Sequence, residues 1–230
     1  YTVTGTVGTC TANTTYYVNG SSLTASITPG GSTVSCGNQT LTAVATASTW
    51  FTKTNFAGTA RSGASGFVIG SKGYICLGIT GSSTYLNDLW EYDYTSDTWT
   101  QKATFPSYSR YYASAFSIGT KGYITCGGGG SSYYNDLWEY NQSTNAWIQR
   151  SSFPGTARYS ASAFAFGGKA YVGCGYNAGT YYNDFYQYDP ATDTWTAKAS
   201  FGGSARYGAV GFSIGTKGYI QGGSNTAGTS

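Results

Sequence analysis

The chain has 230 residues, and 9% of them are charged, against roughly 25% in an average soluble domain. The composition contains no histidine, which excludes Ser-His-Asp or Cys-His catalysis and histidine-ligated metal sites. The net charge is only +3 and the basic residues are spaced, so no nucleic-acid partner is expected. A membrane span is also excluded, because no apolar run approaches the length of about 18 residues that a helix needs. Abundant Thr, Ser, Tyr and Gly favour short strands and tight turns.

Residues 1–47 are rich in Thr and Ser, and their apolar positions alternate, as in TVTGTV and TLTAVATA. This alternation predicts a β-rich segment. Two interpretations of it stay open: SITPGGSTVSCGNQTLTA resembles part of the Ig-like repeats of secreted bacterial surface proteins, whereas QTLTAVA also fits a degenerate strand of the repeat that follows. The segment holds Cys10 and Cys36, which could form a disulfide.

From residue 48 onward the sequence repeats itself with a period of 48 or 49 residues. Three residue types share this register: tryptophan at Trp50, Trp99, Trp147 and Trp195; phenylalanine at Phe56, Phe105, Phe153 and Phe201; arginine at Arg61, Arg110, Arg158 and Arg206. Three independent positions in one register exclude coincidence. Such a period is the signature of a repeat architecture.

Each unit predicts four short strands separated by turn signals. Strand A follows the arginine (SGASGFVI, YYASAFSI), strand B is the KGYI segment, strand C is DLWEYD, and strand D carries the tryptophan (TWTQKATF). In strand C, Leu89 and Glu91 face one way, while Trp90 and Tyr92 face the other. Small residues on A and B suit crowded inner strands, and bulky residues on C and D suit a wider outer wedge.

The units resemble the repeats of kelch β-propellers. The similarity lies in the glycines after strand B (Gly127-Gly128 and Gly222-Gly223), the tyrosine of strand C, the tryptophan of strand D and the spacing of about 50 residues. It covers residues 48–230 and departs at Leu77-Gly78 and Cys174-Gly175. The resemblance implies an all-β propeller of four-stranded antiparallel blades. We expect three complete and two partial blades, and therefore an incomplete propeller.

The remaining chemistry of the repeats predicts structural roles. All nine carboxylates lie in strands C or in the C–D turns and follow the repeat, whereas a catalytic pair usually breaks one. Cys76, Cys126 and Cys174 occupy similar places in successive units and are expected to be small buried residues. We predict no cofactor, no metal and no enzyme activity. Some kelch-family enzymes bind copper through histidine and tyrosine, and the absence of histidine excludes that chemistry here. If the chain were an enzyme, the alternative would be a mutarotase-like activity on a sugar.

Binding residues are predicted from topology. In an antiparallel blade the D–A connection and the B–C loop emerge on the same face, so the repeated arginines should share a face with the loop tyrosines. The predicted set is Arg61, Arg110, Arg158, Arg206, Tyr85, Tyr133, Tyr134, Tyr181 and Tyr182. Arginine binds carboxylates bidentately, and tyrosine offers a stacking face with a polar tip. The alternative for the arginines is a scaffold role, bonded to neighbouring carbonyls or to the repeated aspartate of the next blade.

Together these features predict an extracellular or cell-surface adhesion module that binds a glycan or protein partner. The location is inferred from the low charge, the polar composition, the potential Cys10–Cys36 bridge and the Ig-like appearance of the N-terminus. Two alternatives stay open: a structural subunit of a surface filament or layer, which would pack against copies of itself, and a propeller enzyme acting on a sugar. Further domains of a longer chain are also possible partners.

Overall fold

The computed structural model describes residues 51–81 and 83–225 in full, and the backbone of four further strands within residues 2–42. The chain divides into two compact units, residues 1–52 and residues 53–230. In the first unit, β1 (Thr2–Thr4) pairs antiparallel with β4 (Thr40–Thr42), and β2 (Thr14–Val18) pairs antiparallel with β3 (Ser21–Ala25). Cys10 and Cys36, the predicted disulfide pair, lie outside the described residues.

The second unit contains three four-stranded antiparallel sheets, which we number as blades in chain order. Blade 1 comprises β5 (Ser65–Ile69), β6 (Lys72–Cys76), β9 (Leu89–Asp93) and β10 (Thr98–Lys102). Blade 2 comprises β11 (Ser114–Ile118), β12 (Lys121–Thr125), β15 (Leu137–Asn141) and β16 (Ala146–Arg150). Blade 3 comprises β17 (Ser162–Phe166), β18 (Lys169–Gly173), β21 (Phe185–Asp189) and β22 (Thr194–Lys198). The predicted A, B, C and D strands are thus confirmed.

Each B–C loop adds a short hairpin. The hairpin strands are β7 (Ile79–Thr80) with β8 (Thr84–Tyr85), β13 (Gly128–Gly129) with β14 (Ser132–Tyr133), and β19 (Tyr176–Asn177) with β20 (Thr180–Tyr181). A two-stranded half-blade, β23 (Val210–Ile214) with β24 (Lys217–Gln221), follows blade 3. Trp50, predicted on the outer strand of a first partial blade, lies outside the described residues. None of the described residues is helical, so this part of the chain provides no helix that could cross a membrane.

The strand register defines two opposite edges of every blade. In blade 1, Lys72 pairs with Asp93 at one edge, and Cys76 pairs with both Ser65 and Leu89 at the other. The A–B and C–D turns therefore share one edge, which we call the turn face. The B–C loops and the D–A connections share the other edge, which we call the loop face. This is the arrangement that places the predicted arginines and tyrosines together.

Successive blades are joined through their A strands, which are the innermost. Ser65 Oγ donates to the carbonyl of Ala113 at 2.7 Å, and Ser114 repeats this contact one blade later with Ala161 at 2.8 Å. Phe67 of blade 1 packs over Gly122 of blade 2, where a Cβ atom would stand 2.1 Å from its ring. A side chain at this position would displace the ring, so the small residue is needed for the blades to close on one another.

The backbone after strand B corrects one detail of the predicted repeat. Leu77, Cys126, Cys174 and Gly222 all have positive φ, at 62°, 63°, 55° and 72°, and the glycine after each is also positive. The counterpart of Gly222-Gly223 is therefore Cys126-Gly127, not Gly127-Gly128. Cys76 ends its strand one residue before this position, so the three cysteines do not occupy equivalent places. The sequence alone assigned the wrong pair because residues 127–130 of the second unit are all glycine.

Candidate functional site

A buried arginine–aspartate pair fixes the loop face of each complete blade. Arg110 is 0% exposed, and its guanidinium donates to both carboxylate oxygens of Asp136 at 2.5 and 2.9 Å. The same group donates to the carbonyls of Cys126 at 2.9 Å and Tyr108 at 3.0 Å, and to Ser107 Oγ at 2.8 Å. These contacts use all five of its N–H donors. Each pair therefore ties the D–A connection to the end of strand B and to the start of strand C.

The pairing is repeated in the neighbouring blades. Arg158, also 0% exposed, donates to Asp184 at 2.5 and 2.9 Å, and Arg61 donates bidentately to Asp88. Arg206 of the half-blade donates to the carbonyls of Ser204 at 3.0 Å and Gly222 at 2.8 Å.

The structure thus favours a scaffold role for Arg61, Arg110 and Arg158 over direct contact with a ligand. Their guanidinium groups are buried and bonded to carbonyls and to an aspartate of their own blade, whereas the scaffold alternative expected the aspartate of the next blade. Arg206 is half-buried and contacts no carboxylate among the described residues. The buried charges of Arg61, Arg110 and Arg158 position the loops.

Two of the predicted tyrosines cover these arginines. The Arg110 guanidinium carbon lies 4.1 Å from the centroid of Tyr134, and that of Arg158 lies 3.8 Å from Tyr182. A phenylalanine of the D–A connection packs against each arginine as well, with Phe105 5.1 Å from Arg110. Burial alone would raise the pKa of Asp136, but the hydrogen bonds and charge of Arg110 hold it below its ordinary value of 3.8. The pair thus stays ionised at neutral pH.

The remaining predicted tyrosines belong to a larger aromatic cluster on the loop face, which we call the tyrosine strip. Its eight rings are Tyr85, Tyr111, Tyr112, Tyr133, Tyr159, Tyr176, Tyr181 and Tyr207. Neighbouring ring centroids are separated by 5.0–6.2 Å. All eight side chains are partly or well exposed. The strip crosses all three complete blades and reaches the half-blade, so it offers one continuous aromatic surface.

Five members of the strip were not predicted. Tyr111, Tyr159 and Tyr207 directly follow a repeated arginine, so the recurring Arg-Tyr pair was a signal in the sequence. Tyr159 connects the strip, since it contacts tyrosines from both neighbouring units, and its burial with the nearby tyrosines raises its pKa to about 12. Tyr112 and Tyr176 carried no repeated signal.

Blade 2 also carries an open pocket of about 660 Å³ on this side of the molecule. Tyr108 at its edge is 70% exposed and stacks on Tyr134, with centroids 5.3 Å apart and planes 12° from parallel. Trp138, Asp136 and Gln149 contribute to its wall. Tyr133 lines the pocket and also belongs to the tyrosine strip, where it stacks on Tyr159 at 5.7 Å. The pocket and the strip are therefore adjoining parts of one surface.

The carboxylates of the chain all have hydrogen-bond or ion-pair partners within the structure. Their partners are Arg61 for Asp88, Tyr74 and Lys72 for Glu91, Lys72 for Asp93, Tyr92 for Asp97, Arg110 for Asp136, Arg150 and Tyr123 for Glu139, Arg158 for Asp184, Lys169 for Asp189, and Tyr188 for Asp193. Within residues 51–81 and 83–225, no group of three Cys, Asp or Glu could hold a metal ion. This arrangement suits a scaffold role for the carboxylates.

The three described cysteines are free thiols that are fully buried, as predicted. Burial raises the pKa of both Cys126 and Cys174 to about 11. A thiol with a raised pKa and no exposure is a poor nucleophile. These residues act as small core side chains.

The chain was compared with protein families, curated proteins and solved structures. Residues 8–223 match the family model described as the KLHDC2/KLHL20/DRC7 Kelch-repeats domain. Among solved structures, 173 chains match, including one titled "Structure of YjhT", with a TM-score of 0.62 and 23% identity over 70% of this chain. The chain spans 58% of the length of that structure. No curated protein gave a significant match.

The family match covers most of the chain, and the fold match is consistent with it. The four-stranded antiparallel blades are those predicted from the repeat, and the positive φ after each B strand is a further feature that they share. Kelch domains generally serve as protein-binding modules. The chain belongs to the kelch-repeat family of β-propellers.

Proposed function

We propose that this propeller is a non-catalytic adhesion module of the cell surface or extracellular space that binds a protein or glycan through its loop face. The observation that carries the proposal is the tyrosine strip, eight neighbouring rings held partly exposed across successive blades. Tyrosine combines a large apolar face, a polar tip and few rotatable bonds, which makes it effective in recognition surfaces. Glycine, serine and asparagine in the adjoining loops add adaptable hydrogen bonding.

Two observations support a non-catalytic role. Every carboxylate is engaged by a structural partner, so none stands ready as an acid or a base, and the three described thiols are buried. The proposed extracellular location rests on the low charge and the Thr-, Ser-, Tyr- and Gly-rich composition.

The repeat itself supplies mild substitutions to test the strip. Tyr111 corresponds to Ser62 in blade 1, and Tyr112 corresponds to Ser160 in blade 3, so serine fits both backbones. The variant Tyr111→Ser with Tyr112→Ser removes two rings from the middle of the strip and should weaken binding about tenfold or more. Binding is measured with a glycan panel and a displayed peptide library, which together cover both classes of partner.

Tyr94→Ala is the matched control. Tyr94 is 60% exposed, more than any residue of the strip, but it lies in the C–D turn on the turn face. We expect this variant to bind like the wild type. If both variants bind equally well, or if neither the panel nor the library yields a ligand, the proposed role of the strip is rejected.

A self-assembling structural subunit is a second candidate, favoured by the apolar surface of the half-blade. Val210 is 65% exposed, Ile214 is 63% exposed and Phe212 is 43% exposed, whereas Phe67, the counterpart of Phe212, is 7% exposed beneath blade 2. Light scattering over a range of concentrations distinguishes this role. Assemblies that Phe212→Ser dissolves would favour it, and a monomer at all concentrations would exclude it.

A further inference from the structure

The connection between strands D and A departs from the repeat in blade 2 alone among the described units. The tripeptide Gly58-Thr59-Ala60 before Arg61 recurs as Gly-Thr-Ala at 155–157 and as Gly-Ser-Ala at 203–205, but at 107–109 it is Ser-Tyr-Ser. A residue that breaks an otherwise strict repeat is not needed for the common scaffold. Its presence requires a local explanation.

The first change, glycine to serine, adds hydrogen bonds around the arginine. In blade 1 a Cβ at Gly58 would lie 2.7 Å from the Phe56 ring and 2.9 Å from the Arg61 guanidinium. Ser107 occupies the corresponding place in blade 2, and its hydroxyl donates to Asp136 at 2.8 Å and accepts from Arg110 at 2.8 Å. The loop of blade 2 is thus held by extra hydrogen bonds, immediately beside Tyr108.

The second change creates an aromatic platform. Tyr108 replaces the threonine of blades 1 and 3, and one face of its ring stacks on Tyr134 while the side chain stays 70% exposed. Blade 1 has leucine at the place of Tyr134, and blade 3 has alanine at the place of Gln149. Tyr108, Tyr134, Trp138 and Gln149 therefore occur together only in blade 2 among the described blades, around the pocket of about 660 Å³.

The electrostatics of the pocket select against an anionic ligand. Asp136 is its only carboxylate, and it is held by Arg110, Ser107 and Trp138 at 2.5–2.9 Å. Arg110 is fully buried beneath the pocket with all five donors used, so no N–H remains for an incoming carboxylate. The pocket thus has aromatic faces and neutral amide and hydroxyl groups but no accessible cation.

We propose that the blade 2 pocket is a binding site for neutral saccharides, with Tyr108 as the stacking platform. The negative face of an aromatic ring attracts the C–H groups on the flat side of a pyranose. Gln149 and Asn135 of the pocket wall provide both donors and acceptors for its hydroxyls. The pocket volume lies within the range of small-ligand sites. This site narrows the proposed function, on which it rests, to uncharged glycans at one subsite.

The test uses matched sugar pairs that differ by one charge. Methyl β-glucoside and methyl β-glucuronide are compared, with the corresponding galactoside and galacturonide, by ligand-observed NMR on the full chain, after a panel of neutral oligosaccharides. We expect the neutral member of at least one pair to bind, and its acid to bind about tenfold more weakly or not at all. Tyr108→Thr, which restores the residue of blades 1 and 3, should weaken binding about tenfold.

Tyr182→Leu is the matched control, because Tyr182 lies over Arg158 as Tyr134 lies over Arg110, but without a stacked partner. It should bind the neutral sugar like the wild type. Equal binding of the acid, undiminished binding by Tyr108→Thr, or no binding by any neutral saccharide would each overturn the proposal. A displayed peptide that requires Tyr108 while every sugar fails would overturn the sugar site and leave the proposed binding function in place. If neither a saccharide nor a displayed peptide binds the loop face of the wild type, both the sugar site and the proposed binding function are rejected.

Discussion

Removing Asp136 tests whether the buried arginine–aspartate pairs hold the loop face together. In Asp136→Ala, Arg110 stays buried and keeps its bonds to the carbonyls of Cys126 and Tyr108 and to Ser107 Oγ. It loses two charge-assisted bonds, at 2.5 and 2.9 Å, and the only carboxylate it contacts. Breaking a buried ion pair by removing one partner costs about 3–5 kcal/mol, because a buried charge is left uncompensated.

That loss translates into a large thermal effect. For a domain of this size, each kcal/mol lowers the melting temperature by about 2–4 °C, so the variant should melt about 6–20 °C below the wild type. Urea unfolding followed by tryptophan fluorescence measures the free energy directly. The control is Lys169→Ala, which removes a partly exposed ion pair with Asp189 and should cost less than about 1 kcal/mol. A loss below about 1 kcal/mol for Asp136→Ala would refute the reasoning, since water would then have to reach Arg110.

Three further predictions follow from the packing and the ionisable groups. Gly122→Ala should lower the free energy of unfolding by about 1–3 kcal/mol, because the added methyl group would overpack against Phe67. Gly73→Ala changes the same position in blade 1, where the space is open, and should change this free energy by less than about 0.5 kcal/mol. An equal effect of the two variants would contradict the interlocking of blades. The lowered pKa of Asp136 contributes stability that is fully present above its ordinary pKa of 3.8 and is lost as the pH falls toward the folded value. The free energy of unfolding should therefore begin to fall below about pH 4, and it should fall less steeply with pH in Asp136→Ala. The same pH dependence in the variant and the wild type would argue against this contribution. The pKa of Tyr159, raised from 10.0 to about 12, contributes stability that is fully present below pH 10 and is lost as the pH rises from 10 to 12. Tyr159→Phe should therefore remove one late-titrating tyrosine from the alkaline absorbance titration, and an unchanged late phase would count against the packing of Tyr159 in the strip.

The sequence predicted the blades well because the repeat supplies its own internal comparison. Trp99, Phe105 and Arg110 share one period with their counterparts, so the strands between them were located closely. The alternation of strand C predicted that Leu89 and Glu91 face away from Trp90 and Tyr92, and the first two are buried while the other two are half-buried. The prediction of the double-glycine position was wrong by one residue, because residues 127–130 are all glycine and the sequence alone does not show which residues have positive φ.

The candidate site was less predictable, because burial is a property of the folded blade. Arg110 and Asp136 are 26 residues apart, and only the pairing of strands B and C shows that they meet and exclude solvent. Tyr111 and Tyr159 could have been found from the repeated Arg-Tyr pair. Tyr108 interrupts the period instead of repeating it, so only comparison with its counterparts Thr59 and Thr156 distinguishes it.

The most direct test of binding at the loop face is hydroxyl-radical footprinting of the chain, alone and with the tightest ligand from the saccharide panel and the peptide library. We expect protection of Tyr108, Tyr133 and Tyr159 on the loop face, with Tyr94 on the turn face unchanged. Protection confined to Tyr94 and the turn face, with the tyrosine strip unaltered, would contradict the proposed recognition surface.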